Sequence, residues 1–369
     1  MSVVHSSSAS PALNGSVLVL IQFDVCEELL LDRLQQTVSA RTVQLSSMKH
    51  SAPAYVRYQR PPIVERLETL VLESGERLEG EIKYFDYGVV SVVYQLPFSG
   101  DWEGLVQLAS RWVWDVDFAS HVEPIVRQKL QRATSSMVKP YSRWLSEDYF
   151  IFHVREVAGV SAAEELIRDN TLRIAQIVRG DRLNLSIGEC TEVLNSRISY
   201  YATDVAVLGW NAAFLYDSAA GAETAIQLIE YANSQLLEFR HYDELLSGIL
   251  DGVYALLEKK KGTFARWRLA RSATSLHTVL LDVAELTERA DNAIKFLSDM
   301  FAARLYKLAA GKVGVPDYRN LVERKLKTAD DLYNYMVEQF NQSRAFFLEV
   351  TVVLILLIEL FYLFKGKGI

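Results

Sequence analysis

The sequence predicts an α+β fold: an N-terminal, mainly antiparallel sheet domain with packed helices, followed by a long antiparallel helical or coiled-coil stalk ending in one transmembrane helix. Three observations carry that prediction. Short β-branched and aliphatic runs, separated by turn residues, crowd the chain as far as residue 217. From Ser218 the strand signals vanish and seven-residue spacing of apolar side chains takes over. Residues 345–364 read AFFLEVTVVLILLIELFYLF, an apolar helix of spanning length between Arg344 on one side and Lys365 and Lys367 on the other.

Composition narrows the function classes. The chain has 369 residues, room for two ordinary domains. Its formal net charge of -7 argues against general affinity for nucleic acid, so nucleic acid is not an expected partner. Cys26 and Cys190 lie far apart and form no ligand pair, which argues against a disulfide framework and for a reducing compartment. Residues 1–16 are rich in Ser and contain no Lys or Arg, and read as a disordered tail without the charged flank of a secretory signal. The bulk of the chain is therefore expected to face the cytoplasm, held in the membrane by a single C-terminal pass.

Residues 17–217 form the expected head domain. VLVLIQF, from Val17 to Phe23, reads as a strand buried on both faces. Asp24 is placed to cap a helix from about Cys26 to Val38, with Leu29, Leu30 and Leu34 on one face. Pro53, Pro61 and Pro62 mark residues 39–62 as loop or edge structure. Leu67–Glu73, Leu78–Phe85 and Val89–Tyr94 are strand-like, and the Asp86-Tyr87-Gly88 connection suits a tight hairpin needing positive φ. Asp101–Arg132 reads as helix broken at Pro124, and Asp148–Val154 as a further strand. Ser161 with Glu164 has the spacing of a capping box.

Residues 218–344 carry three apolar seams. The first runs Ala225, Ile229, Ala232, Leu236, Phe239, Leu246, Leu250, Val253, Leu257, with Asp243 as a polar exception. The second runs from Leu276 to Met300, and the third is Val322, Leu326, Ala329, Tyr333, Met336, Phe340. Alternating three- and four-residue spacing of this kind is the seam of a coiled coil or an antiparallel helical hairpin. Gly311, Gly314 and Pro316 end the second helix and Asp317 opens the third. No Gly or Pro then interrupts the chain from Tyr318 to Gly366, so the third helix is expected to run unbroken into the span, leaving residues 365–369 as a short tail.

Several side chains are candidates for function. Glu359 lies inside the span, where a carboxylate is costly; it either snorkels to the interface or makes a polar contact between helices. Glu349 sits nearer the entry. Lys259, Lys260, Lys261, Arg266, Trp267, Arg268 and Arg271 form the one basic patch in an acidic chain. It suits anionic lipid headgroups at about 1 kcal/mol per cation, or else is a solvated helix turn whose charges complement a helix C-terminus. No HExxH or other metal spacing, no phosphate-binding glycine loop and no GxSxG elbow occurs, so no catalytic residue, metal or cofactor is assigned.

Phe85-Asp86-Tyr87-Gly88-Val89-Val90 resembles the signature hairpin of the "required for meiotic nuclear division" family. Ile174-Ala175-Gln176 with Glu189, and Leu348-Glu349 with Leu356-Leu357-Ile358-Glu359, are similar to two further stretches of that family. Ile177 stands where the family usually has Ser, and Val350 where it often has Trp. The resemblance implies a membrane-anchored oligomer; a mitochondrial member is linked to organellar translation through tethering. The resulting expectation is a non-enzymatic, homo-oligomeric membrane scaffold whose head binds a protein partner. The rivals are an enzyme using Asp86, Glu189 or His153 in the head, and an ion-conducting oligomer using Glu359.

Overall fold

The computed structural model describes residues 12–38, 43–45, 56–58, 61–258, 281, 283, 294–296 and 300–366. These fall into two compact units. The first comprises Met1–His241 with Glu288–Tyr318, the second Tyr242–Thr287 with Arg319–Ile369.

The strands are β1 (Leu13–Leu29), β2 (Val43–Leu45), β3 (Val56–Tyr58), β4 (Ile63–Val71), β5 (Arg77–Tyr84), β6 (Val89–Gly100), β7 (Met137–Val157), β8 (Arg197–Ile198), β9 (Val205–Leu208), β10 (Ala212–Tyr216) and β11 (Ile294–Phe296). Nine of them form one sheet in the order β2-β4-β5-β6-β1-β7-β10-β9-β8, while β3 pairs with β11. Every pairing in the large sheet is antiparallel except that of β7 with β10. The helices are α1 (Leu31–Val38), α2 (Trp102–Trp114), α3 (Phe118–Gln131), α4 (Ala163–Arg179), α5 (Ile187–Leu194), α6 (Ala219–Glu258), α7 (Met300–Val313) and α8 (Val315–Gly366).

β1 organises the first unit. Its run of branched residues is buried on both faces, and side chains alternate between them. Val17, Val19, Ile21 and Phe23 join Trp102, Trp112, Phe118 and Phe150 in a continuous apolar core. Each such side chain contributes about 1.5–3 kcal/mol on full burial. The opposite face of β1 carries Gln22 and Asp24, which meet α6. Helix starts are locally encoded: Asp101 accepts from Gly104 N at 2.8 Å, Asp117 from Ser120 N at 3.0 Å, and Ser186 from Glu189 N at 3.1 Å.

In the second unit the end of α6 meets α8. Leu250 and Val253 cluster with Ala329 and Met336. Lys325 reaches Asp243 at 2.5 Å and the Ser247 hydroxyl at 2.5 Å. Residue numbers rise together along both helices, so these two segments run parallel. Most of the second seam, including Leu276 and Leu297, lies outside the described residues. α8 continues as one helix to Gly366, and its Phe347–Gly366 part is long and apolar enough to cross a membrane.

Several elements differ from expectation. β1 begins at Leu13, inside the stretch read as a tail, and continues to Leu29, so the helix expected over Cys26–Val38 starts only at Leu31. The reason is non-local: Cys26, Glu28 and Leu29 pair with β7. The break in Asp101–Arg132 falls at Asp115–Asp117, where Asp117 caps a new helix; Pro124 stays inside α3 because Val122, Val126 and Leu130 are all buried. Ser161 does not cap α4; the helix begins at Ala163, whose N–H donates to the Ala202 carbonyl at 2.9 Å. The helical region does not begin as a separate body at 218, since α6 belongs to the first unit as far as His241. Every residue from Leu228 to Phe239 is buried, and a helix covered all round has no amphipathic signature.

Candidate functional site

The hairpin Phe85-Asp86-Tyr87-Gly88 is a docked turn. Phe85 N donates to Val89 O at 2.9 Å and Gly88 N to Phe85 O at 3.2 Å. Gly88 has φ +91°, and a Cβ there would lie 1.8 Å from the Cys26 carbonyl oxygen. Only glycine meets both conditions. The close approach lets Val25 N donate to Gly88 O at 3.1 Å and Leu29 N to Asp86 O at 2.9 Å, which joins the turn to the far end of β1. Phe85 and Tyr87 stack at 5.3 Å, and the Tyr87 hydroxyl lies 2.8 Å from the hydroxyl of Ser234 on α6.

Ser234 belongs to a row on α6 formed by Glu230, Ser234, Glu238 and His241, spaced to share one helix face. Lys83 donates to Glu230 Oε2 at 2.8 Å, Ser91 to Oε1 at 2.7 Å, and Gln22 to the Glu230 carbonyl at 2.9 Å. Burial pulls the Lys83 pKa down, but Glu230 and Glu81 outweigh it and hold the ammonium above its usual range. At the other end His241 Nδ1 lies 2.9 Å from Asp24, and the Tyr141 ring stacks on the imidazole at 4.2 Å. Burial raises the Asp24 carboxyl against the pull of His241. Burial and the Asp24 charge push the Cys26 thiol up to about 12, so it is an inert thiol at neutral pH. On the other side of α6, Gln235 donates to the Tyr231 hydroxyl at 3.0 Å and accepts from Tyr306 of α7.

A second constellation surrounds the loop after α4. Gln176, 7 % exposed, uses its amide nitrogen to hold two successive carbonyls, Arg182 O at 3.2 Å and Leu183 O at 2.9 Å. Gly180 closes α4 at φ +64°, against Val113 and Trp114 of α2. Asp181 accepts from Leu183 N at 2.8 Å, and Arg179 pairs with Glu189 at 2.6 Å. The Gln176 and Glu189 singled out in the sequence thus brace one loop. Its Arg182 and Leu183 form a wall of a cleft of about 850 Å³ that also touches β6 and α2.

The remaining candidates lie elsewhere. His153 contacts the Asp217 carbonyl at 2.9 Å and is held below its usual pKa by burial. It pairs across from Ser16 near the start of β1, whereas Asp86 docks on Leu29 at the other end. Glu189 is occupied with Arg179. Asp86, His153 and Glu189 therefore sit in three separate settings. Glu349 and Glu359 are exposed along the apolar helix. The basic patch of Lys259, Lys260, Lys261, Arg266, Trp267, Arg268 and Arg271 lies outside the described residues. Among the described residues no cluster of His, Cys, Asp and Glu could hold a metal ion. The polar row of α6 was missed in the sequence, where its regular spacing was overshadowed by the apolar seam of Ile229, Ala232, Leu236 and Phe239.

Residues 14–223 match the family model described as "Uncharacterized protein MJ0711, N-terminal domain". The chain belongs to this family. The matched stretch holds the whole large sheet, the Phe85-Asp86-Tyr87-Gly88 turn and the Gln176-braced loop, and ends just after α6 begins. A relative from Methanocaldococcus jannaschii, described as "Uncharacterized protein MJ0711", is 22 % identical over 200 residues, covering 54 % of this chain and 61 % of the relative. The chain thus spans about three fifths of that relative's length. No solved structure matches.

Proposed function

We propose that the protein is a non-enzymatic, homo-oligomeric membrane scaffold, held by its C-terminal helix, whose α+β head binds a partner protein. The observation that carries this reading is α8. One helix without a break runs from Val315 to Gly366, and its last twenty residues are apolar with none buried. An apolar surface of that length calls for lipid or for other helices. The parallel packing of Leu250 and Val253 on Ala329 and Met336 supports a coiled-coil stalk as the assembly element. The resemblance to the "required for meiotic nuclear division" family supports the same reading, with the body on the cytoplasmic side.

Two measurements test it on the full chain. Leu354→Arg with Leu357→Arg places two cations in mid-span, at about 2.5–3.5 kcal/mol each. This variant is expected to leave carbonate-washed membranes, and its retention would overturn the anchor. Mass measurement in detergent is expected to give an oligomer; a monomer at every concentration would overturn the assembly. Glu359 is proposed as a polar contact between spans, to be read as a lower oligomer mass in Glu359→Leu. Liposome ion flux that Glu359→Gln abolishes would instead favour the ion-conducting reading.

A further inference from the structure

The cleft bounded by α2, β6 and the Gln176-braced loop carries charges of both signs beside an apolar lining. On α2, Glu103, Gln107, Arg111 and Asp115 all line it. They recur every fourth residue, so they form a row along one side of the helix, each about 6 Å beyond the last. Within the row Gln107 donates to Glu103 at 3.3 Å, and Arg111 pairs with Glu76 through one terminal nitrogen. The Nε–H of Arg111 is buried and has no acceptor among the described residues. Asp115 ends the row as the C-cap of α2, with no ion pair among the described residues. Arg182 stands on the loop side of the cleft, and its guanidinium also has no carboxylate within ion-pair distance among the described residues. Asp115 and Arg182 therefore line one cleft without pairing with each other.

Phe98 of β6 and Leu108 of α2, both partly buried, belong to the apolar part of the lining. Leu183, next to Arg182, adds a side chain that is 70 % exposed. Four separate devices hold its loop: the buried Gln176 amide, the positive φ of Gly180, the Asp181 side chain and the Arg179–Glu189 pair. They fix an unpaired arginine and an exposed leucine at the cleft, where the core gains little from either. The charges select among ligands. An anion alone would face Glu76, Glu103 and Asp115, and a cation alone would face Arg111 and Arg182. A molecule with one charge of each sign can meet an opposite charge at both Arg182 and Asp115. The cleft volume of about 850 Å³ is that of small-molecule sites, which combine an apolar lining with a few fixed polar groups.

We propose that this cleft binds a dipolar amphiphile, a small molecule whose head carries one anionic and one cationic group on an apolar body. The anionic group lies against Arg182, with the Arg111 Nε–H as a further donor. The cationic group lies against Asp115, and the apolar body packs on Phe98, Leu108 and Leu183. Charge-assisted hydrogen bonds to the guanidinium groups orient the head, and burial of the body adds affinity. Two sources share this chemistry: a free α-amino acid with an apolar side chain, and the head of a zwitterionic phospholipid. The site goes beyond the scaffold reading and depends on neither the anchor nor the oligomer.

The test is titration calorimetry on the full chain in a non-ionic maltoside. One arm uses L-phenylalanine and L-leucine, the other dihexanoylphosphocholine below its micelle concentration. Binding is expected in one arm, and that arm names the source. In the amino-acid arm, removing one ligand charge, as the N-acetyl derivative or as the amide, is expected to weaken binding at least about tenfold. In either arm Arg182→Gln and Asp115→Asn are expected to do the same, with unchanged melting temperatures because both side chains are exposed. The matched losses should not add: Asp115→Asn costs the N-acetyl amino acid nothing more, and Arg182→Gln costs the amide nothing more. For the phosphocholine arm, a glycerol ester lacking the choline should be insensitive to Asp115→Asn. No binding in either arm at about 10 mM ligand would overturn the site. Ligands of a single charge that bind as tightly as the dipolar ones, or affinities that both variants leave unchanged, would overturn it as well.

Discussion

The two faces of the large sheet reach the same degree of burial by opposite chemistry. On one, Phe23, Trp112, Phe118 and Phe150 pack as an apolar core. On the other, Gln22, Lys83 and Ser91 meet Glu230, and Asp24 meets His241, beneath a helix whose middle turns are fully buried. The apolar face contributes stability through area and packing, which tolerate many arrangements. The polar face contributes less net energy, because desolvation offsets much of each ion pair. It penalises any other placement of α6, since a shift of one residue would strand Glu230 and Lys83 in a dry interior. The difference teaches that the Phe85-Asp86-Tyr87-Gly88 turn is a positioning device, with Tyr87 reading out the register through Ser234.

The sharpest way to break this comparison is to truncate on each face. Trp112→Ala, which also removes the edge-on contact with Phe118 at 5.2 Å, is expected to lower unfolding free energy by about 3–5 kcal/mol in detergent-solubilised full chain. Glu230→Ala should lose about as much, because it leaves Lys83 buried without its main partner. The faces then part: Glu230→Leu combined with Lys83→Met should regain most of that loss, while no apolar exchange regains the tryptophan. If the double variant stays as unstable as Glu230→Ala, the polar row does more than position the helix. Gly88→Ala should cost about 1–3 kcal/mol through positive φ, and more through the clash with the Cys26 carbonyl, seen as a lower denaturation midpoint. Tyr87→Phe should cost about 1 kcal/mol, with hydrogen exchange accelerated in α6 around Ser234.

The smallest expected effect is in the pH dependence. Burial holds folded His153 below its ordinary value of 6.5, so the folded state binds fewer protons than the unfolded one. Its contribution is fully present above about pH 6.5 and is lost as pH falls from there through the folded value. His153→Gln should flatten the stability profile in that window, read from melting temperatures across pH. An unchanged slope would mean that His153 binds its proton equally in the folded and unfolded states.

Much of the architecture was legible in local chemistry. The double-sided burial of Val17–Phe23, the Asp86-Tyr87-Gly88 hairpin and the unbroken third helix all follow from residue type and period. The extension of β1 to Leu29 was not legible, because Cys26 to Leu29 alone favour a helix as well as a strand and only β7 decides between them. The capping role expected of Ser161 failed for the same reason, since a carbonyl from Ala202, distant in sequence, takes the N–H at the start of α4. Of the candidate sites, the hairpin was visible as a turn, but its purpose depended on where α6 lies.

By itself the sequence determined the α+β class, the Asp86-Tyr87-Gly88 hairpin and the apolar C-terminal helix, since each is written in residue type and spacing along the chain. The tertiary structure alone decided that the first half of α6 belongs to the head and that its polar row faces Lys83 and Asp24. It alone decided, too, that Gln176 and Glu189 brace a single loop. Those are contacts between segments far apart in the chain. Their partners are polar residues whose spacing looks like an ordinary solvated face until another surface covers it.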